Sequence, residues 1–221
     1  MAEGEQEQGD NAPREAVVLV HGIWMTGLDM RLLARRLRRC GFTPHVFSYA
    51  SVRRTPAENA RRLADFVARI EAPAVHFVAH SLGGLVLLHL FHSCPPARPG
   101  RVVMLGVPAR GSEVGRRVAR SRWLRFVVGK AAVGGVLGDA PGWHCDRELG
   151  IIAGDRSMGM GWFIPGALRG PNDGTVRVEE TRLAGARAHR VVHLSHIWLV
   201  LSARVARMVC RFLRTGRFDP P

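Results

Sequence analysis

The stretch VAHSLGGLVLLHL, Val78 to Leu90, carries an apolar run through a single serine into a helix-like apolar segment. Such a chain must turn sharply at Ser81, because an extended run and a helical run meet there. A turn that tight requires small residues two before and two after the serine; these are Ala79 and Gly83, with Gly84 next. The junction belongs to a longer alternation. AVVLV (Ala16–Val20), TPHVFSY, AVHFVA, RVVMLGV, LGIIAG and HRVVHL read as strands, with helical patterns between most of them. One predicted helix spans 28–40 and is closed by Gly41. A second opens on the capping box Thr55-Pro56-Ala57-Glu58 and buries Leu63, Phe66, Val67 and Ile70. Two more cover 82–92 and 202–213, the last with Val205, Val209 and Phe212 facing inward. Strands that are continuously apolar are covered on both faces, which predicts an α/β fold: a mostly parallel central sheet with helices on both sides.

The 221 residues suit one domain, placed at 15–221 behind an acidic, polar tail at 1–14 that reads as disordered. Residues 108–148 break the alternation with arginines, tryptophans and glycines, and read as a cap or lid excursion that contributes to a pocket. No apolar run approaches the ~20 residues that span a bilayer, and the N-terminus has no basic or apolar leader. Cys40, Cys94, Cys145 and Cys210 lack CxxC spacing, which argues against a zinc site or disulfide framework and for a cytoplasmic location. The net charge of +14 raises nucleic acid or an anionic membrane as partners. Lys130 is the single lysine among 32 basic residues, and the arginines are spread over several helices, as G/C-rich codons would produce. No nucleic-acid recognition motif accompanies them, so none is expected as partner; membrane-surface contact stays open.

The residues around Ser81 supply a reaction centre in order. A serine at a helix N-terminus either caps the helix or is presented as a nucleophile, with the Leu82 amide beside a developing oxyanion. In LVHGIW, Gly22 lets the chain pass close and the Ile23 amide is the second candidate donor; Gly22 alone is also an ordinary strand end. His21 reads as a loop-orienting hydrogen bonder. A base is expected after the last strand, where HLSHIW offers His193 and His196, and His196 is the one beyond the strand. The acid lies between serine and base in sequence, at Asp155 or Asp173. Asp173 stands in an Asn-Asp-Gly turn whose aspartate commonly bonds its own backbone, so local sequence does not choose.

The segments VVLVHGIW, VHFVAHSLGG, LGVPARGS, NDGTVRVEETRLAGA and HLSHIWLV, in this order between Val17 and Val200, resemble the α/β-hydrolase superfamily of the lipase/esterase type. They are particularly similar to small bacterial lipases with an Ala-x-Ser-x-Gly elbow. The resemblance implies an α/β-hydrolase fold and a catalytic set of Ser81, Asp173 and His196, with Ile23 and Leu82 as oxyanion hole. Asp155 remains the alternative acid. The implied activity is hydrolysis of small-molecule or lipid carboxylic esters through an acyl-enzyme, with no metal and no organic cofactor. The same residues also fit a thioesterase, an amidase or an acyltransferase, and an inactive scaffold acting as a binding module is the reading from another class.

Overall fold

A computed structural model describes residues 14–120, 129–159 and 168–219. Its centre is β1 (Ala16–Val20), five apolar residues with no solvent exposure. A strand buried on both faces must be flanked on both edges, and β1 pairs in parallel with β2 (Thr43–Phe47) and β3 (Val75–His80), Val20 lying opposite Phe47 and Ala79. The sheet continues through β4 (Val102–Leu105), β5 (Leu149–Gly154) and β6 (Ala188–Val192), all parallel, in the order β2-β1-β3-β4-β5-β6.

Alternate residues of β1 feed two cores. Ala16, Val18 and Val20 pack with α2 (Pro56–Ala68) and α3 (Leu82–Ser93), while Val17 and Leu19 pack with α1 (Arg31–Arg39), α5 (Trp198–Leu201) and α6 (Ala203–Thr215). A shorter helix, α4 (Glu113–Arg120), follows β4. The 28–40 prediction resolves into a 3-10 turn, Leu28–Met30, leading into α1, and Gly41 closes it with φ 87°. The capping box of α2 is present: the Glu58 amide donates to Thr55 Oγ1 at 3.2 Å, and the Thr55 amide donates to Glu58 Oε2 at 2.7 Å. In α6, Val205, Val209 and Phe212 are fully buried, each contributing about 1.5–3 kcal/mol relative to exposure. Among the described residues no helix is long and apolar enough to cross a membrane.

The sheet has a switch point. The chain goes from β1 to one side for β2 and to the other for β3, which leaves a crevice at the carboxyl ends of β1 and β3, where ligands bind in such sheets. Gly22–Ile23 and Ser81 both follow directly from those ends.

One expectation is corrected. Cys40, at the end of α1, is disulfide-bonded to Cys210 in α6, with Cα atoms 6.3 Å apart. The two cysteines lie 170 residues apart in sequence, so only the packing of α1 against α6 brings them together. Cys94 and Cys145 are free. The predicted acidic tail, 1–14, lies outside the described residues except for Arg14. A bond that closes so long a loop constrains the unfolded chain strongly. Cys40→Ser should lower stability by about 2–5 kcal/mol, read as a shift of the urea midpoint that added reductant reproduces in the unmodified protein.

Candidate active site

Ser81 joins β3 to α3 at φ 52° and ψ −123°, one of two non-glycine residues with positive φ among those described. It stands at the N-cap position of α3, yet its side chain makes no capping bond. The capping alternative therefore does not account for it. The residue instead lines a cavity of about 210 Å³ at the switch point. The turn is held by backbone bonds on both sides: the Ser81 amide donates to Leu105 O at 3.0 Å, and the Gly84 amide to Ser81 O at 3.0 Å. It is also held by close packing. A Cβ on Gly83 would stand 2.3 Å from Val20 O, so only glycine lets α3 start this near the end of β1.

Ile23 and Leu82 line the same cavity, and among the described residues neither backbone amide has a hydrogen-bond acceptor. Both are therefore donors left over at a cavity that Ser81 also lines. The loop that carries Ile23 is fixed from the β2 side. The Tyr49 amide donates to His21 Nε2 at 3.3 Å, so the neutral ring carries its proton on Nδ1 and donates it to Gly22 O at 2.8 Å. The Tyr49 hydroxyl donates to His21 O at 2.7 Å, and its ring stacks on the imidazole with centroids 4.3 Å apart. His21 is thus spent on holding its loop, as its sequence context indicated. Trp24, at φ 58°, is held by its amide donating to Ser51 Oγ at 3.0 Å.

The two acids go to different histidines. Asp173 Oδ2 lies 2.7 Å from Nδ1 of His196, which also borders the cavity. Asp173 is 1% exposed, and its Oδ1 accepts from the amides of Thr175 and Val176 at 2.9 and 2.8 Å. The His196 amide donates to Asp173 O at 2.8 Å. Asp155 pairs instead with His193 at 2.9 Å on the surface, where the His193 side chain is 78% exposed.

Two further residues position the pair, and the sequence reading missed both. His80, fully buried, donates from Nε2 to the His196 carbonyl at 3.1 Å, because a carbonyl only accepts. Its Nδ1 is buried without a partner among the described residues. Burial, reinforced by the neighbouring His196, holds its pKa well below the ordinary histidine value; burial lowers that of His21 as well. Gly106, at φ 56°, ends β4 under the pair: a Cβ there would meet Asp173 Oδ2 at 3.0 Å and His196 Nδ1 at 3.1 Å. The available signals were a histidine closing a buried strand and a glycine directly after another strand. Val114, Gly115 and Val118 of α4, together with Val136, form an apolar wall of the cavity, so part of the 108–148 excursion does border it.

A family model described as "Alpha/beta hydrolase family" matches residues 17–216. Among solved structures, the mature lipase BlEst2 of Bacillus licheniformis superposes with a TM-score of 0.72 at 18% identity, over 97% of this chain and 96% of that one. A thermophilic esterase from Thermogutta terrifontis does so with a TM-score of 0.65 at 14% identity, over 93% and 92%. At these identities the likeness is one of fold. A 7-cyano-7-deazaguanine synthase from Methylococcus capsulatus is 33% identical over 146 residues, 65% of this chain, and the chain spans 56% of that protein's length.

Gly106→Ala should displace the Asp173–His196 pair and so lower hydrolytic turnover by about tenfold or more. Gly170→Ala, which meets nothing within 4 Å despite φ 78°, should leave turnover unchanged. For pH, the sign follows from His80 and His21, whose folded pKa values lie below the unfolded 6.5. The unfolded chain binds more protons below 6.5, so stability is full above that value and is lost as pH falls through it. The urea midpoint should drop between about pH 7 and pH 5, and His80→Gln should flatten that slope.

Proposed function

The chain belongs to the alpha/beta hydrolase family, and within it we propose a serine hydrolase that cleaves carboxylic esters. The observation that carries this reading is the hydrogen bond of Asp173 to His196 at the cavity where Ser81 stands with its hydroxyl uncommitted to the helix. His196 takes the Ser81 proton through Nε2 as the oxygen attacks the ester carbonyl. The Ile23 and Leu82 amides receive the oxyanion. Asp173 fixes the tautomer that leaves Nε2 free to accept, and stabilises the imidazolium that forms. Collapse expels the alcohol, protonated by His196, and leaves an acyl group on Ser81; water activated by the same histidine then releases the acid. Nothing in this sequence of steps calls for a metal or organic cofactor.

The cavity is small, about 210 Å³, and its wall of Val114, Val118 and Val136 favours a short apolar acyl chain. The Cys40–Cys210 bond bears on location. Such links persist in oxidising compartments and are rare in the cytosol, so the reading favours the former over the cytoplasmic location expected from the sequence.

A fluorophosphonate should label Ser81, and Ser81→Ala should abolish labelling together with turnover of p-nitrophenyl esters. Butyrate should be cleaved faster than palmitate. Asp173→Asn should lower kcat by about a thousandfold or more, while Asp155→Asn stays within about twofold. An unlabelled Ser81, or the reverse result for the two aspartates, would overturn the assignment.

A further inference from the structure

The charge of +14 is not evenly spread once the chain is folded. Helix α1, RLLARRLRR, carries five arginines, and α6, ARVARMVCRFLRT, carries four; neither contains a carboxylate. These helices are far apart in sequence, but they pack against one another on the same side of the sheet and are joined by Cys40–Cys210. Their apolar residues point into one core, so their arginines face outward together. Arg36 and Arg214 are tied to the carbonyls of Leu201 and Cys40 across the seam, which aligns the two basic faces. Among the described residues, none of the nine lies within 4 Å of a carboxylate, whereas Arg101, Arg110, Arg116, Arg117, Arg182 and Arg187 all do. Concentrated and unneutralised positive charge on one face fits a polyanionic surface.

The kind of polyanion follows from what borders this face. Helix α1 leaves the carboxyl end of β1 through Leu28–Met30, and α5 leads into α6 from the loop that holds His196. Both therefore begin at the sheet edge that carries the cavity. At that edge Leu28, Leu32 and Trp198 are exposed, beside Trp24 and Ile197 at the cavity mouth. A phosphodiester chain has no use for exposed leucines, while a bilayer takes arginine at its phosphates and tryptophan and leucine just beneath them.

We propose that α1 and α6, with the apolar rim at their N-terminal ends, form a docking surface for a bilayer of anionic phospholipid. Docking seats the arginines on headgroup phosphates and sets the cavity mouth against the lipid. It does not depend on the hydrolytic reading of the site.

The test uses full-length Ser81→Ala protein, so that lipid turnover cannot intervene. Cosedimentation is measured with phosphatidylcholine vesicles and with mixed phosphatidylcholine–phosphatidylglycerol vesicles, at low and high salt. Binding should require phosphatidylglycerol and weaken with salt. A variant combining Arg35→Gln, Arg38→Gln, Arg204→Gln and Arg207→Gln should lose about fivefold in affinity per arginine, and the same four changes in the Ser81 protein should leave hydrolysis of a soluble ester unchanged. Arg53→Gln, Arg54→Gln, Arg61→Gln and Arg62→Gln, on and beside α2, remove equal charge from elsewhere and should preserve binding. Equal loss in both quadruple variants, equal binding to neutral vesicles, or binding to duplex DNA without binding to vesicles would overturn the proposal.

Discussion

The backbone of Ser81 is the constraint around which the rest is arranged. A serine at φ 52° is strained by about 1–3 kcal/mol relative to an ordinary conformation. It persists because β3 is locked between β1 and β4, because the Ser81 amide is bonded to Leu105, and because α3 abuts the end of β1 at Gly83. Two of these contacts also have a second effect. Pressing α3 onto β1 brings the Leu82 amide beside the loop that holds Ile23, and tying Ser81 to β4 puts it next to the strand whose following residue is Gly106. The strain and the proximity of the other groups have the same cause.

Asp173 bonds its own turn and a distant histidine at once. Its Oδ1 closes the local turn through Thr175 and Val176, as aspartates in such turns commonly do, and its Oδ2 is left for His196. The turn bonds fix the direction in which the second oxygen points. Asp155 sits at the end of an equally good strand, but its oxygen faces His193 on the outside of the protein. Local sequence did not separate them because the difference lies in which histidine each acid meets.

The six strands, the capping box of α2, the Gly41 end of α1 and the candidate serine and histidine were legible because they depend on neighbours within a few residues. Thr55 and Glu58 announce a helix start whatever surrounds them, and the apolar run of β1 marks a strand covered on both faces. What was not legible depends on residues distant in the chain. The Cys40–Cys210 bond and the pooling of arginines on α1 and α6 both arise from one helix–helix contact that no local pattern encodes. His80 was visible as a residue, but its use was not, since the carbonyl it meets belongs to a residue 116 positions later.

That helix–helix contact has a consequence for the integrity of the molecule. Ser81 and His196 both lie inside the loop closed by Cys40 and Cys210. A peptide bond cut anywhere in that loop, including within 108–148, leaves two polypeptides but one covalent body. The serine and the histidine stay on the same particle after such a nick, and they can drift apart only when the disulfide is also reduced.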